Sequence, residues 1–150
     1  MSSRNGAGVL VDHGSGGSRE RVAAHVRMLA RHGYGVLALD NPGNGESEGH
    51  SSGLGSNAQP AIDAAVHWLA RRPDVDPRRI AAFGTSLGAE VLLEAAAREP
   101  KLRAVVADGP TRPTDGDRVS DPTLLERAFG TVSMQAVRAI SGTREPPSLI

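Results

Sequence analysis

One serine near the middle of the chain has a glycine two residues away on each side. Gly84, Ser86 and Gly88 fall in the run GTSLG, which follows the apolar run IAAF and precedes an alanine- and leucine-rich helical pattern. A serine on a sharp strand-to-helix turn exposes its hydroxyl as a nucleophile. Glycines suit such a turn because the backbone is strained and nearby side chains would collide with the turning strand and helix. The alternative is that Ser86 is an ordinary helix N-cap.

A second glycine-rich run, His13-Gly14-Ser15-Gly16-Gly17, follows the apolar run AGVLV. Its glycines allow main-chain N–H groups to point into a shared cavity, as an oxyanion hole requires. The alternative is an anion-binding loop at a helix N-terminus. A dinucleotide fingerprint is not met, because Arg19 stands where the third glycine belongs, and the chain has no P-loop Gly-Lys-Ser/Thr. A looser match at 53, 55 and 58 follows a loop instead of a strand.

A third polar run, DNPGNGES, extends from Asp40 to Ser47 after another apolar stretch. Its composition predicts a turn-rich loop. We interpret it as structural, with Asp40 and Ser47 fixing the loop through hydrogen bonds.

Apolar patterning predicts the elements that position these runs. Four short apolar runs bounded by turn residues indicate buried strands, and the segments between them have helical periodicity. Ser18 is the expected N-cap of the first helix and Gly33 its expected end. The alternation predicts an α/β fold, with four parallel strands in one sheet and helices on both faces. The expected strands are Val9–Val11, Tyr34–Asp40, Ile80–Gly84 and Leu102–Asp108, and the expected helices are Arg19–Arg31, Asn57–Arg71 and Leu87–Arg98.

The same periodicity predicts the core-facing side of the first two helices and a further helical region. One or two short helices are expected in residues 121–140, with Asp121 as a cap and Pro122 in the first turn. The expected core-facing residues are Val22, His25, Val26, Met28, Leu29 and Ala30 in the first helix and Ala61, Ile62, Ala65, Val66, Trp68 and Leu69 in the second.

Composition excludes several classes of function. Lysine plus arginine and aspartate plus glutamate both number 17, so there is no basic surplus to attract nucleic acid or anionic lipid. Cysteine is absent, which removes disulfides and thiolate chemistry and fits a reducing, cytoplasmic location. No apolar run approaches the roughly 20 residues of a membrane span, and the first residues do not form a signal peptide. We expect neither a metal nor a cofactor.

Taken together, the three polar runs resemble the α/β-hydrolase fold, in the branch of dienelactone hydrolases and serine peptidases, over about residues 7–110. The resemblance implies that Ser86 is the nucleophile and that the main-chain N–H groups of Leu87 and Ser15 form the oxyanion hole. It also implies the strand order second, first, third, fourth, which puts a topological switch point at the first strand. The sequence departs from the family at Pro42 and Asn44, where Arg and His are common, and at Ala89, where a third glycine is common.

The family's catalytic base has no counterpart in this sequence. In this fold the order is Ser, then Asp or Glu, then His, yet all five histidines precede Ser86: His13, His25, His32, His50 and His67. His13 is the upstream candidate for a substitute base, since it lies near the crevice, although its place in the motif is usually structural. The candidate acids are Asp108, a weak candidate at the end of the fourth strand, and Asp115, Asp117 and Asp121.

These observations predict one partial α/β-hydrolase domain over 1–150, with its core at 7–110 and the start of a cap or connecting region at 111–150. We expect a fragment of a larger hydrolase. Two functions remain open: a serine hydrolase of esters or amides, acting on a small molecule or peptide, whose histidine lies outside this chain, or a non-catalytic α/β module. The two outer strands of the sheet are expected to have exposed edges that promote self-association.

Overall fold

The computed structural model describes residues 1–51 and 57–110, and these form one α/β unit. Its elements follow the predicted alternation. In chain order they are β1 (Gly8–Asp12), α1 (Ala23–Arg31), β2 (Gly35–Ala38), α2 (Gln59–Ala70), β3 (Ile80–Thr85), α3 (Leu87–Ala96) and β4 (Leu102–Asp108).

The four strands form one parallel sheet in the order β2-β1-β3-β4, which confirms both the fold class and the predicted order. From β1, the chain reaches β2 on one side and later β3 on the other. The carboxyl ends of β1 and β3 are therefore adjacent at a topological switch point, where ligand crevices form in open α/β sheets.

Each face of the sheet is covered by helices because the strand residues alternate between two apolar clusters. Alpha-helix α1 covers one face, while α2 and α3 cover the other. The fully buried β1 residues Leu10 and Val11 point to opposite clusters, which is the burial expected of a central parallel strand. Beside Leu10, the larger cluster contains Ile62, Val66, Leu69, Ile80, Val91, Leu92 and Leu102.

The predicted start of the first helix is wrong by four residues. Helix α1 begins at Ala23, because residues 18–21 form a turn in which the Arg21 N–H donates to the Ser18 carbonyl at 3.0 Å. Ser18 is therefore not its N-cap. Its predicted end is confirmed: Gly33 has φ of 88°, and the N–H groups of Gly33 and Tyr34 return to carbonyls of the last turn.

Two side chains expected in the core lie on the surface. Met28 is 48% exposed and Trp68 is 49% exposed, with the Arg72 guanidinium 4.8 Å above the Trp68 ring. Of the other expected α2 residues, Ile62, Ala65, Val66 and Leu69 are buried, and Ala61 is half-buried. The helices expected in 121–140, the acids Asp115, Asp117 and Asp121, and the cap region at 111–150 lie outside the described residues.

Candidate active site

Ser86 lies at the junction of β3 and α3 in a strained backbone conformation. Its φ is 51° and its ψ is −120°, and among the described residues it is the only non-glycine with positive φ. Its N–H donates to the Asp108 carbonyl at 2.8 Å, and its own carbonyl accepts from the Ala89 N–H at 2.9 Å. Neighbouring elements thus hold the serine where an unconstrained residue would relax, and such strain is concentrated at functional sites.

The alternative role of Ser86 as a side-chain cap is contradicted. Ser86 occupies the N-cap position of α3, but its side chain makes no capping hydrogen bond. Its hydroxyl is therefore not used to satisfy the first turn of the helix, as an ordinary capping serine would be.

The glycines two residues either side of Ser86 are required by close main-chain packing. A Cβ added at Gly84 would lie 2.6 Å from the Gly88 carbonyl carbon, and one at Gly88 would lie 2.5 Å from the His13 carbonyl oxygen. The second contact brings the end of β1 directly against the first turn of α3. The spacing of the motif thus also sets the distance between the serine turn and the loop after β1.

The loop after β1 and the serine turn meet at one cleft. A Cβ added at Gly14 would lie 3.2 Å from the Ser86 Cβ, so this glycine packs against the serine. Ser15 and Leu87 both line the cleft, which is small and partly open to solvent. Within the described residues no oxygen accepts a hydrogen bond from the N–H of Ser15 or of Leu87. The two predicted hole donors thus belong to residues that line the same cleft.

His13 is buried, and both of its ring nitrogens are bound to main chain. The Asn41 N–H donates to Nε2 at 3.2 Å, which leaves the proton on Nδ1, and Nδ1–H donates to the Gly14 carbonyl at 2.8 Å. A base that receives a serine proton needs a free ring nitrogen. In this conformation His13 positions the loop and does not serve as that base.

The remaining histidines lie on other elements. His25 of α1 stacks on Phe83 with ring centroids 4.6 Å apart, as its expected core-facing position implies. The helical periodicity also predicts a core-facing position for His67 of α2, and this prediction is wrong, since its side chain is 44% exposed and its Nδ1 lies 3.5 Å from the Glu99 carboxylate. Asp108 lies beside the serine turn through its main chain, with its side chain at the exposed end of β4.

A fully buried carboxyl lies next to the glycine-rich loop. Asp12, the last residue of β1, accepts hydrogen bonds at Oδ1 from the His13 N–H at 2.9 Å and from Asn41 Nδ2 at 2.8 Å. Burial raises the pKa of Asp12 to about 6, even though His13 and the two hydrogen bonds act in the opposite direction. Asp12 and Asn41 were not among the predicted site residues; the one available signal was an acidic residue directly after the apolar run AGVLV.

The loop after β2 is held by Asp40, as predicted, with a partner that the sequence did not indicate. Ser47 Oγ donates to the Asp40 carbonyl at 2.7 Å, and the Glu46 N–H donates to Asp40 Oδ2 at 3.1 Å. Arg19 donates to the same carboxylate from its N–H and from Nη1, both at 2.6 Å. Asp40 thereby joins the loop after β1 to the loop after β2.

The cleft is polar and uncharged. Its walls consist of glycines, hydroxyl and amide side chains and a few apolar residues, and no side chain with a formal charge at neutral pH lines it. No group of three or more His, Cys, Asp or Glu that could hold a metal ion occurs in the described residues. The lining residues are His13, Gly14, Ser15, Gly16, Asn41, Pro42, Asn44, Ser51, Asn57, Ala58 and Leu87.

Comparison with known proteins places this arrangement among hydrolases. The family described as serine aminopeptidase, S33, matches residues 3–143. An uncharacterized protein of Mycobacterium tuberculosis (strain H37Rv) is 33% identical over 99% of this chain and 52% of its own length. The chain spans about half the length of the curated relatives it matches.

Two archaeal hydrolase structures share the fold. An esterase of Pyrococcus furiosus is similar with a TM-score of 0.66 and 29% identity, over 71% of this chain and 43% of the esterase. A monoacylglycerol lipase of Paleococcus ferrophilus has a TM-score of 0.63 and 27% identity, over 89% of this chain and 50% of the lipase. Among the helices of the described residues, none has the length and apolarity to cross a membrane.

Proposed function

This chain belongs to the α/β-hydrolase family described as serine aminopeptidase, S33, and we propose that it carries the nucleophile and oxyanion hole of a serine hydrolase of ester or amide bonds. Ser86 is the proposed nucleophile. The N–H groups of Leu87 and Ser15 are the proposed hole donors. The observation that carries the proposal is the strained Ser86 turn, whose side chain makes no capping hydrogen bond, next to a cleft lined by both Ser15 and Leu87.

The proposed chemistry is acyl transfer to serine. Ser86 Oγ attacks the carbonyl carbon of the substrate, and the carbonyl π electrons move onto its oxygen as the serine proton passes to a base. The N–H groups of Leu87 and Ser15 donate to the developing oxyanion, and the first turn of α3 adds the positive end of its dipole. As the intermediate collapses, the bond from the carbonyl carbon to the leaving alcohol or amine breaks and the protonated base gives its proton to the leaving group. Water then attacks the acyl-serine, passes a proton to the base, and the bond to Ser86 Oγ breaks as Oγ takes that proton back.

The base is the part of this chemistry that the chain does not supply. No histidine follows Ser86, and both ring nitrogens of His13 are bound to main chain. Without a base the serine hydroxyl stays protonated and is a weak nucleophile near neutral pH. We therefore propose that the 150-residue chain by itself turns over esters negligibly, and that the base comes from outside it.

The same absence supports the alternative, a non-catalytic α/β module. In both proposals the location is cytoplasmic, as the lack of cysteine suggested. The two differ in whether the site reacts when a base is supplied. A small molecule or peptide is the expected ligand of the uncharged cleft.

Labelling by a fluorophosphonate, with and without imidazole as an added base, tests the proposal. We expect the chain to label negligibly in plain buffer and at least tenfold faster in imidazole, with the label on Ser86. Ser86→Ala should abolish the imidazole-dependent labelling. Failure of imidazole to accelerate labelling of a folded chain would favour the non-catalytic module, whereas efficient labelling without imidazole would show that the chain contains its own base.

A matched pair of variants tests the hole. Ser15→Ala keeps the main-chain N–H and should label like the parent chain. Ser15→Pro removes that N–H, and loss of one hole donor typically costs on the order of 10²–10³ in rate. Equal labelling of the two variants would remove Ser15 from the proposed hole while leaving the role of Ser86 intact.

A further inference from the structure

Two buried oxygen atoms next to the glycine-rich loop have no hydrogen-bond partner. They are Asp12 Oδ2 and Asn41 Oδ1, which belong to residues already joined through Asp12 Oδ1 and Asn41 Nδ2 at 2.8 Å. Asp12 is fully buried and Asn41 is 9% exposed. An unpaired buried acceptor destabilises the folded chain, so two on one linked pair require a physical explanation.

A single proton accounts for both unpaired oxygens. An ionised Asp12 has only acceptors, and Asn41 Oδ1 is also an acceptor, so neither can satisfy the other. When Asp12 is protonated, its Oδ2–H is a donor and Asn41 Oδ1 is an acceptor. Carboxylic acid and amide can then pair with one hydrogen bond in each direction, of which the bond from Asn41 Nδ2 to Asp12 Oδ1 at 2.8 Å is one.

We propose that protonated Asp12 is a positioning residue for the oxyanion-hole loop, pairing with Asn41 and holding the His13 N–H so that the loop carrying Ser15 is fixed against the serine turn. The hydrogen bonds of the pair join the end of β1 to the loop after β2. His13 strengthens the same junction, because its Nε2 accepts from the Asn41 N–H. The importance of Ser15 rests on the proposed function, whereas the acid–amide pair does not.

The charged groups around Asp12 leave burial as the main influence on its ionisation. His13 is on its own loop, and Asp40 lies on the neighbouring loop with Arg19. The elements packed against β1 carry Asp63 and His67 on α2, Glu90 and Glu94 on α3, and His25, Arg27 and Arg31 on α1, while Asp108 ends β4 next to β3. Of these groups only His13 acts electrostatically on the pKa of Asp12, and it acts to lower it.

The pair therefore makes the loop sensitive to pH. The buried carboxyl has a pKa of about 6 in the folded chain, against 3.8 for the ordinary group. Closure of the loop is favoured while Asp12 holds its proton and is weakened as the pH rises through the folded pKa. If opening the loop returns Asp12 to its ordinary pKa, the closed-to-open ratio falls about tenfold between pH 5 and pH 7.5.

Nuclear magnetic resonance of the uniformly ¹³C,¹⁵N-labelled 150-residue chain tests this inference. We expect the Asp12 carboxyl carbon to titrate with a midpoint near pH 6. The amides of His13, Gly17 and Asn41 all have acceptors, so their hydrogen-exchange protection reports the closed loop. After correction for intrinsic exchange, their protection should fall about tenfold from pH 5 to pH 7.5.

Two variants complete the test. Asp12→Asn mimics the neutral acid, since its amide can donate to Asn41 Oδ1, and should keep the protection high at both pH values. Asp63→Asn is the matched control, because Asp63 also has a buried, unpaired Oδ1 but lies on α2; it should retain the tenfold fall of the parent chain.

An Asp12 midpoint near pH 4, or the same pH dependence in Asp12→Asn as in the parent chain, would overturn the inference. The midpoint in the parent chain decides the matter even where a variant fails to fold. Neither readout uses labelling of Ser86, so failure of the acid–amide pair is distinguishable from failure of the proposed hydrolase function.

Discussion

At the scale of single residues, the strained turn at Ser86 depends on atoms that are missing from its neighbours. Gly84 and Gly88 have no side chain, and this allows β3, α3 and the end of β1 to come within van der Waals distance through their main chains. Neither glycine has positive φ, so glycine is needed at these positions for the close main-chain packing and not for an unusual backbone conformation. The glycine spacing around Ser86 is thus a packing requirement, whatever the chemistry of the serine.

Gly88→Ala tests this requirement. The added methyl group would lie 2.5 Å from the His13 carbonyl oxygen, a main-chain atom that cannot turn away. We expect the substitution to lower the free energy of unfolding by about 2–3 kcal/mol, the upper part of the range for overpacking, although alanine is the better helix former. Urea denaturation followed by circular dichroism measures the change.

Gly16→Ala is the control for Gly88→Ala. A Cβ at Gly16 would meet no atom within 4 Å, so its cost arises only from the positive φ of 62°. That cost is roughly 1–2 kcal/mol. A Gly88→Ala variant as stable as the parent chain would show that β1 and α3 can separate without penalty.

The Ser86 site could be predicted from the sequence because its determinants are local. The glycine spacing, the preceding apolar run and the following helix all lie within residues 80–97. Asp12 and Asn41 are 29 positions apart, and their contact exists only because β1 and β2 are adjacent strands whose carboxyl ends meet. No local pattern marks a pair of that kind, so it was found only in the folded chain.

At the scale of secondary structure elements, the strands were predicted more accurately than the helix boundaries. Buried parallel strands are apolar on both faces and are bounded by turn residues, which is a strong signal in one short run. The start of α1 and the exposure of Trp68 depend instead on local contacts that override the helical pattern. Residues 18–21 close a turn of their own, and Arg72 stacks on the Trp68 ring at the surface.

The loops after β1 and β2 are fastened together by the Asp40 carboxylate. Burial alone would raise the pKa of Asp40, but the N–H groups of Arg19 and Glu46 and the charge of Arg19 outweigh it and hold the pKa below its usual value. Because the pKa of Asp40 is lowered, its stabilisation of the two loops is fully present above the ordinary pKa of an aspartate. It is lost as the pH falls through the lower pKa of the folded chain. Acid therefore weakens the Asp40 junction, opposite to its effect on Asp12.

Asp40→Asn should loosen both loops at neutral pH, because the neutral amide loses the ion pair with Arg19 and offers one acceptor oxygen instead of two. We expect faster cleavage by a protease at residues 41–51, with the rate of the parent chain approaching that of the variant as the pH falls below 4. Limited proteolysis with an acid-tolerant protease, followed by mass spectrometry, measures both rates.

Asp76→Asn provides the control for the Asp40 prediction. Asp76 also has a lowered pKa through an arginine, Arg78, but the pair lies on the turn before β3. The variant should be cleaved in 41–51 at the rate of the parent chain. Equal cleavage of Asp40→Asn and Asp76→Asn would show that Asp40 does not fasten the loops.

At the scale of the whole molecule, the sheet has two outer strands whose edges differ. At the β2 edge, Met1 exchanges two main-chain hydrogen bonds with Val36, so the start of the chain covers one position. At the β4 edge, the run Ala104–Ala107 is partly exposed, and within the described residues no strand pairs with the side of β4 that faces away from β3. An apolar edge with unpaired N–H and C=O groups is a template for pairing with another chain.

We expect the 150-residue chain to self-associate through the β4 edge at tens of micromolar. Val106→Lys puts a charge on this strand, which is a common natural protection of sheet edges, and should shift the sedimentation-average mass toward the 15.6 kDa monomer. Ala24→Lys adds the same charge on the exposed side of α1 and should leave the association unchanged. A parent chain that sediments as a monomer and unfolds cooperatively would contradict this expectation. Loss of association in both variants would instead assign it to net charge, since the two share only the added lysine and not its place in the sheet.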